Sequence, residues 1–101
     1  MIQGIIEEMG AQFKKGSFEE KKTFFFSMED ASFTVVVDAD TCRVERGKTV
    51  EAPDCVCSTA SEMLARIWYD GYQPGIMDFL GGAIKSNAPF MVQKFVKAFR
   101  K

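Results

Sequence analysis

The stretch Gly71-Tyr72-Gln73-Pro74-Gly75-Ile76-Met77-Asp78-Phe79-Leu80-Gly81-Gly82-Ala83-Ile84-Lys85-Ser86-Asn87-Ala88-Pro89 decides the fold, because a start or stop signal bounds each of its pieces. Pro74 suits the first residue of a helix, and Gly81-Gly82 stops that helix after two turns. Ala83 to Ser86 is an extended step, and Pro89 restarts a helix after Asn87. A short helix, a short strand and a closing helix therefore follow one another. Each carries apolar residues: Ile76, Met77, Phe79 and Leu80, then Ile84, then Phe90, Met91, Val92, Phe95 and Phe99. Such a lid requires a sheet beneath it.

The preceding seventy residues supply one. Ile2, Ile5, Ile6, Met9 and Phe13 recur at helical spacing, with Glu7, Glu8, Gln12 and Lys15 largely elsewhere and Gly16 as a stop. Gly10 inside this helix costs about 1 kcal/mol relative to alanine, so the helix depends on docking its stripe. Adsorption to a membrane is the alternative use of that stripe, although it lacks Trp and its polar face is not strongly basic. From Lys22 the period changes to two. Phe24, Phe26 and Met28 share one face, Phe33, Val35 and Val37 share the next, and the turn-prone Glu29-Asp30 joins them. Asp38-Ala39-Asp40 makes a second turn into Cys42 and Val44, which completes a three-stranded meander. Cys55-Val56-Cys57 reads as a fourth strand. Thr59-Ala60-Ser61-Glu62 fits a capping box for a helix whose buried stripe is Met63, Leu64, Ile67 and Trp68.

Composition limits what such a fold can do. The 101 residues, 47% apolar and 27% charged, predict one globular domain spanning 1–101. Thirteen basic against fourteen acidic residues give a net charge of -1, which disfavours nucleic acid as a partner. No apolar run reaches the roughly 20 residues of a spanning helix, and no secretory signal or Ser-Lys-Leu type peroxisomal address is visible. A soluble, cytoplasmic protein is expected. The three cysteines, Cys42, Cys55 and Cys57, are odd in number and sit in strands, so buried thiols are expected rather than a redox or metal site. Histidine is absent, which removes Ser-His and Cys-His nucleophile pairs and nearly all catalytic zinc sites. Cys55, Cys57, Asp54 and Asp78 are what remains for an enzyme. No cofactor is implied, and the expectation is a protein that is not an enzyme.

The order of elements resembles the sterol carrier protein 2 family of small lipid-transfer domains. Phe24-Phe25-Phe26-Ser27-Met28 is similar to its first strand, and Pro53-Asp54-Cys55-Val56-Cys57 to its fourth. Glu62-Met63-Leu64-Ala65-Arg66-Ile67 is similar to the following helix, and Pro74 through Gly82-Ala83-Ile84-Lys85 to its helix-glycine-strand signature. The chain departs from the family at Ala83, where lysine is usual, and at Ala88-Pro89, where Gly-Asp or Gly-Asn is usual. The resemblance implies an α+β fold: a mixed, mostly antiparallel five-stranded sheet covered on one face by about four helices. It also implies an apolar tunnel between sheet and helices for a sterol, a fatty acid or a fatty acyl-CoA.

On that reading the tunnel walls are Phe24, Phe26, Val35, Val37 and Cys57 of the sheet with Ile67, Trp68, Met77, Leu80, Ile84, Met91 and Phe95 of the lid. Leu80 could equally pack the core. Ten Phe and six Met suit adaptable apolar surroundings, as they also suit an ordinary core. The function expected is non-catalytic binding and transfer of apolar lipids. The alternative is an interaction or accessory module that keeps the fold without cargo. Two further expectations concern partners. Lys94, Lys97, Arg100 and Lys101 offer a basic face for a phosphate, an acyl-CoA head group or transient contact with an anionic membrane, or simply for solvent. Phe25, Val36 and Val56 point away from the helices, where an uncovered apolar patch would support a weak homodimer.

Overall fold

The computed structural model describes residues 2–99; Met1, Arg100 and Lys101, the last two being half of the expected basic face, lie outside the described residues. Four helices and five strands follow the order α1 (Ile2–Gln12), β1 (Lys22–Ser27), β2 (Ser32–Val37), β3 (Cys42–Arg46), β4 (Cys55–Thr59), α2 (Ser61–Tyr69), α3 (Ile76–Leu80), β5 (Ile84–Ser86), α4 (Pro89–Lys97). The strands form one sheet in the order β3-β2-β1-β4-β5. All pairs are antiparallel except β1 with β4. The α+β architecture expected from the sequence is the one observed.

Alternation decides which side of the sheet is buried. Phe24 lies opposite Val35 and Cys55, and Phe26 opposite Phe33 and Cys57. This face meets Ile2, Ile5, Met9 and Phe13 of the N-terminal segment, Leu64 and Trp68 of α2, and Val92 and Phe95 of α4 in one continuous core. Phe95 is the hub. Its ring centroid lies 4.8 Å from that of Phe24, 5.0 Å from Phe26 and 4.9 Å from Phe99, separations at which aromatic pairs add to simple burial. Phe18, in the connection before β1, also belongs to this core, edge-on to Phe24. The helical and strand patterns around it gave no signal for it.

Several local expectations need correction. The helix after Gly71 starts at Ile76, and its five residues make little more than one turn rather than two. Its carboxylate at Asp78 accepts the Gly75 N–H at 2.8 Å, which supplies the first-turn cap. No capping box forms at Thr59-Ala60-Ser61-Glu62, because Thr59 belongs to β4 and its hydroxyl donates to the Ala83 carbonyl at 2.9 Å. Ala60 takes the N-cap position without a side-chain bond. The turn between β1 and β2 replaces it: Glu29 accepts the Ser61 N–H at 3.2 Å, and the Ser61 hydroxyl donates to Asp30. Carboxylates placed at the positive end of α2 satisfy both its orphan donors and its dipole.

Among the described residues no helix lies on the far face of the sheet, as expected, but that face is not bare. Residues 47–54 must cross from β3, at one edge, to β4 beyond β1, and they cross over this face. Thr34 ties the start of the crossing: its hydroxyl donates to the Gly47 carbonyl at 2.7 Å and accepts the Thr49 N–H at 3.1 Å. Thr23 ties the end, exchanging bonds with the Asp54 backbone N–H and carboxylate at 3.0 and 3.2 Å. Lys48 lies over the Phe25 ring. Thr34 is wholly buried by this strap, and Phe25, Val36 and Val56 are half-buried. The open apolar patch that would have supported a homodimer through this face is therefore partly covered by the chain itself.

Candidate functional site

A cavity of about 180 Å³ opens between the sheet and the helices. Phe26, Cys57, Thr59 and Ile84 form its sheet side, Leu64, Ile67 and Trp68 of α2 one wall, and Val92, Phe95 and Val96 of α4 another, with Met9 and Phe99 completing the apolar lining. Helical spacing explains the walls. Leu64 and Trp68 lie four apart, as do Val92 and Val96, so each pair stacks on one face of its helix. Lys14, Gly71, Tyr72, Gln73 and Lys97 complete the lining.

Six of the twelve expected site residues meet here: Phe26, Cys57, Ile67, Trp68, Ile84 and Phe95. The other six do not line the cavity. Phe24, Val35 and Val37 are packed in the core with no exposed surface; the two valines belong to β2, which lies on the side of β1 away from β4 and β5. Met91 is half-buried against the core, one position out of phase with Val92. Met77 and Leu80 point outward and are 72% and 75% exposed, so Leu80 neither walls the cavity nor packs the core. Only Phe79 of the four apolar residues of α3 packs inward.

Sequence reading omitted Met9, Leu64, Val92 and Phe99 from the site although their helical stripes were visible. Lys14, Tyr72 and Gln73 carry no local signal: the bridge between Phe13 and Phe99 brings Lys14 to the cavity, and the turn at Gly71 brings Tyr72 and Gln73. Lys14 is held there by its backbone N–H, which donates to the Ala98 carbonyl at 2.7 Å.

The segment 71–75 forms the rim. Gly71, at φ +73, turns the chain out of α2 in a left-handed conformation that a side chain would strain. Tyr72 then points its hydroxyl at the Asp78 carboxylate, 2.7 and 2.8 Å from its two oxygens, and the Arg66 guanidinium sits 4.5 Å from the Tyr72 ring centroid. Gln93 of α4 donates to the Pro74 carbonyl at 3.2 Å. These contacts clasp the rim to α2, α3 and α4 together. The Tyr72 hydroxyl bond, then the Gly75 amide, hold the Asp78 carboxyl below its ordinary range.

The chemistry of the lining is that of a container. Burial pushes the Cys57 thiol up to about 12, so at neutral pH it is a small apolar surface rather than a nucleophile. Burial also raises Cys55, and Cys42 to about 12. Among the described residues no three His, Cys, Asp or Glu groups come together to hold a metal ion. The Thr59 hydroxyl and the Trp68 indole N–H are already engaged, the latter with Glu8 at 3.2 Å. Among the described residues of the lining the charged ones are Lys14 and Lys97, both cationic and both at the mouth.

This arrangement of a helix-covered, mostly antiparallel sheet with a cavity between the layers has solved counterparts. A UbiJ-SCP2 ubiquinone synthesis protein superposes with a TM-score of 0.72 over 95% of this chain and 90% of that one, at 15% identity. The fold is that of sterol-carrier-protein-2-like domains. Sterol carrier protein 2 like 2 from Aedes aegypti matches at a TM-score of 0.51 and 16% identity, over 97% of this chain and 89% of that one. The stereoselective inverting sec-alkylsulfatase Pisa1 from Pseudomonas sp. matches at 0.85 and 10% identity; it covers all of this chain, which spans 16% of the sulfatase. No family model and no curated protein matches the sequence. At these identities the likeness concerns the fold alone. Among the described residues no helix is long and apolar enough to cross a membrane.

Proposed function

We propose that the chain binds and carries an apolar ligand with an anionic head, of the fatty acid or fatty acyl-CoA class. The observation that carries this reading is a cavity with an apolar interior and only cations at its mouth. A volume of about 180 Å³ compares with the roughly 150 Å³ apolar cavity that accepts a benzene ring. A flexible acyl chain can thread such a space and leave its remaining length toward the mouth. A rigid fused-ring sterol would have to displace walls that also form the core. Lys14 and Lys97 then meet the head group, where a charge-assisted contact orients the ligand without chemistry.

Trp68 reports directly, since it is the only tryptophan of the chain and its ring lines the cavity. Titration with fatty acids of increasing chain length should change its emission saturably, with micromolar affinity, about −8 kcal/mol, as the scale. The methyl ester of the same acid should bind more weakly. Emission and melting temperature unchanged by every chain length would overturn the carrier reading. One observation favours a second reading in that event: the same fold forms 16% of a sulfatase, so an accessory module inside a larger assembly is the alternative.

A further inference from the structure

We propose that α3 and the start of α4 dock this domain on the surface of a lipid bilayer. Ile76, Met77 and Leu80 of α3 are 63%, 72% and 75% exposed, and Phe90 at the start of α4 is 82% exposed. A helix that buries none of its own residues completely has another use for its apolar side chains. One hydrogen bond ties the two elements together. Gln93 bonds the Pro74 carbonyl just before α3, and Phe90 lies three residues before Gln93 on the same face of α4. The same face continues to Lys97, four residues beyond Gln93, at the cavity mouth. Phe90 and Lys97 thus share a face of α4, and Gln93 between them holds the segment that leads into α3.

The chemistry and size of the patch favour lipid over protein. Four exposed side chains are far fewer than the roughly 20–30 residues a side of a standard protein interface. A stable protein interface needs about 800 Å² from each partner and brings hydrogen bonds with it. Ile76, Met77, Leu80 and Phe90 have no side-chain donor and, beyond the weak thioether of Met77, no acceptor, and the one carboxylate of α3, Asp78, is already turned into Tyr72 and Gly75. Hydrocarbon asks for no polar partner. Short apolar segments of this kind settle at the boundary of head groups and acyl chains, and a lysine at their edge meets anionic head groups. The inference rests on the carrier reading only for what would be exchanged there.

Flotation with phosphatidylcholine vesicles, with and without phosphatidylglycerol, tests it. The wild type should float with the vesicles, more fully when phosphatidylglycerol is present. Ile76→Glu and Phe90→Glu should each lower the bound fraction about tenfold or more. Both should keep the wild-type melting temperature and the Trp68 response to fatty acid in vesicle-free solution. A wild type that stays in solution with both vesicles overturns the proposal, as do variants that float like the wild type. A concentration-dependent dimer that Phe90→Glu dissolves would also overturn it, giving the patch to a second copy. A wild type that floats but never responds to fatty acid supports the docking surface and overturns the carrier reading alone.

Discussion

Replacing Phe24 by alanine should cost about 3–5 kcal/mol of folding stability while leaving ligand affinity nearly unchanged. Phe24 has no exposed surface and sits in the middle strand, with Val35 on one side and Cys55 on the other. Its ring meets those of Phe18, Phe26 and Phe95. Truncation removes the transfer energy of the ring and leaves a void that three aromatic neighbours in well-packed positions can only partly close. A chain of 101 residues has about 5–15 kcal/mol in all, so this single change removes a large share. Urea denaturation should show a lower midpoint with an unchanged slope. A loss below about 2 kcal/mol together with altered ligand binding would place Phe24 in the wall of the cavity instead of the core.

Val92→Phe should do the reverse. Val92 is buried, lies three residues before Phe95 on the same face of α4, and lines the cavity. The larger side chain extends into the cavity, so overpacking strain and added burial offset one another and stability should move by no more than about 1 kcal/mol. The ligand loses that space. Excluding about four methylenes at about 0.8 kcal/mol each removes roughly 3 kcal/mol of binding, about a hundredfold in affinity. Titration of Trp68 emission and a thermal melt check both halves. Unaltered affinity would mean that the ligand binds elsewhere; a large loss of stability would mean that the cavity does not have the room described.

What the sequence made legible divides along a physical line. Period two in Phe24 to Val37 and period 3.6 in Ile2 to Phe13 report which side of each element is apolar, and the sheet obeys them. Gly82, at φ +85, and Pro89 end α3 and begin α4 within a residue or two of where they should. Half of the expected residues line the cavity, among them Cys57, Ile67, Trp68 and Phe95, because they lie on those apolar faces. Apolar faces do not, however, distinguish core from cavity. Phe24 and Phe26 share a face and a strand, and only the second reaches the cavity, because only tertiary packing determines where along β1 the gap opens. Short elements misled most. In five-residue α3 a spacing argument has too few turns to define an inward side, and Met77 and Leu80 face solvent. The strap over Thr34 and the carboxylate cap from Glu29 and Asp30 both join residues roughly 13 to 32 positions apart, which no local pattern encodes.

The central claim is that an acyl chain lies between the sheet and α4 with its head group at the lysines. A crystal structure of the chain with dodecanoic acid tests it most directly. The account predicts continuous hydrocarbon density between Phe26, Cys57, Ile84, Val92 and Phe95, with the carboxylate toward Lys14 and Lys97. A cavity closed by its own side chains, with the acid elsewhere or absent at saturating concentration, would contradict it.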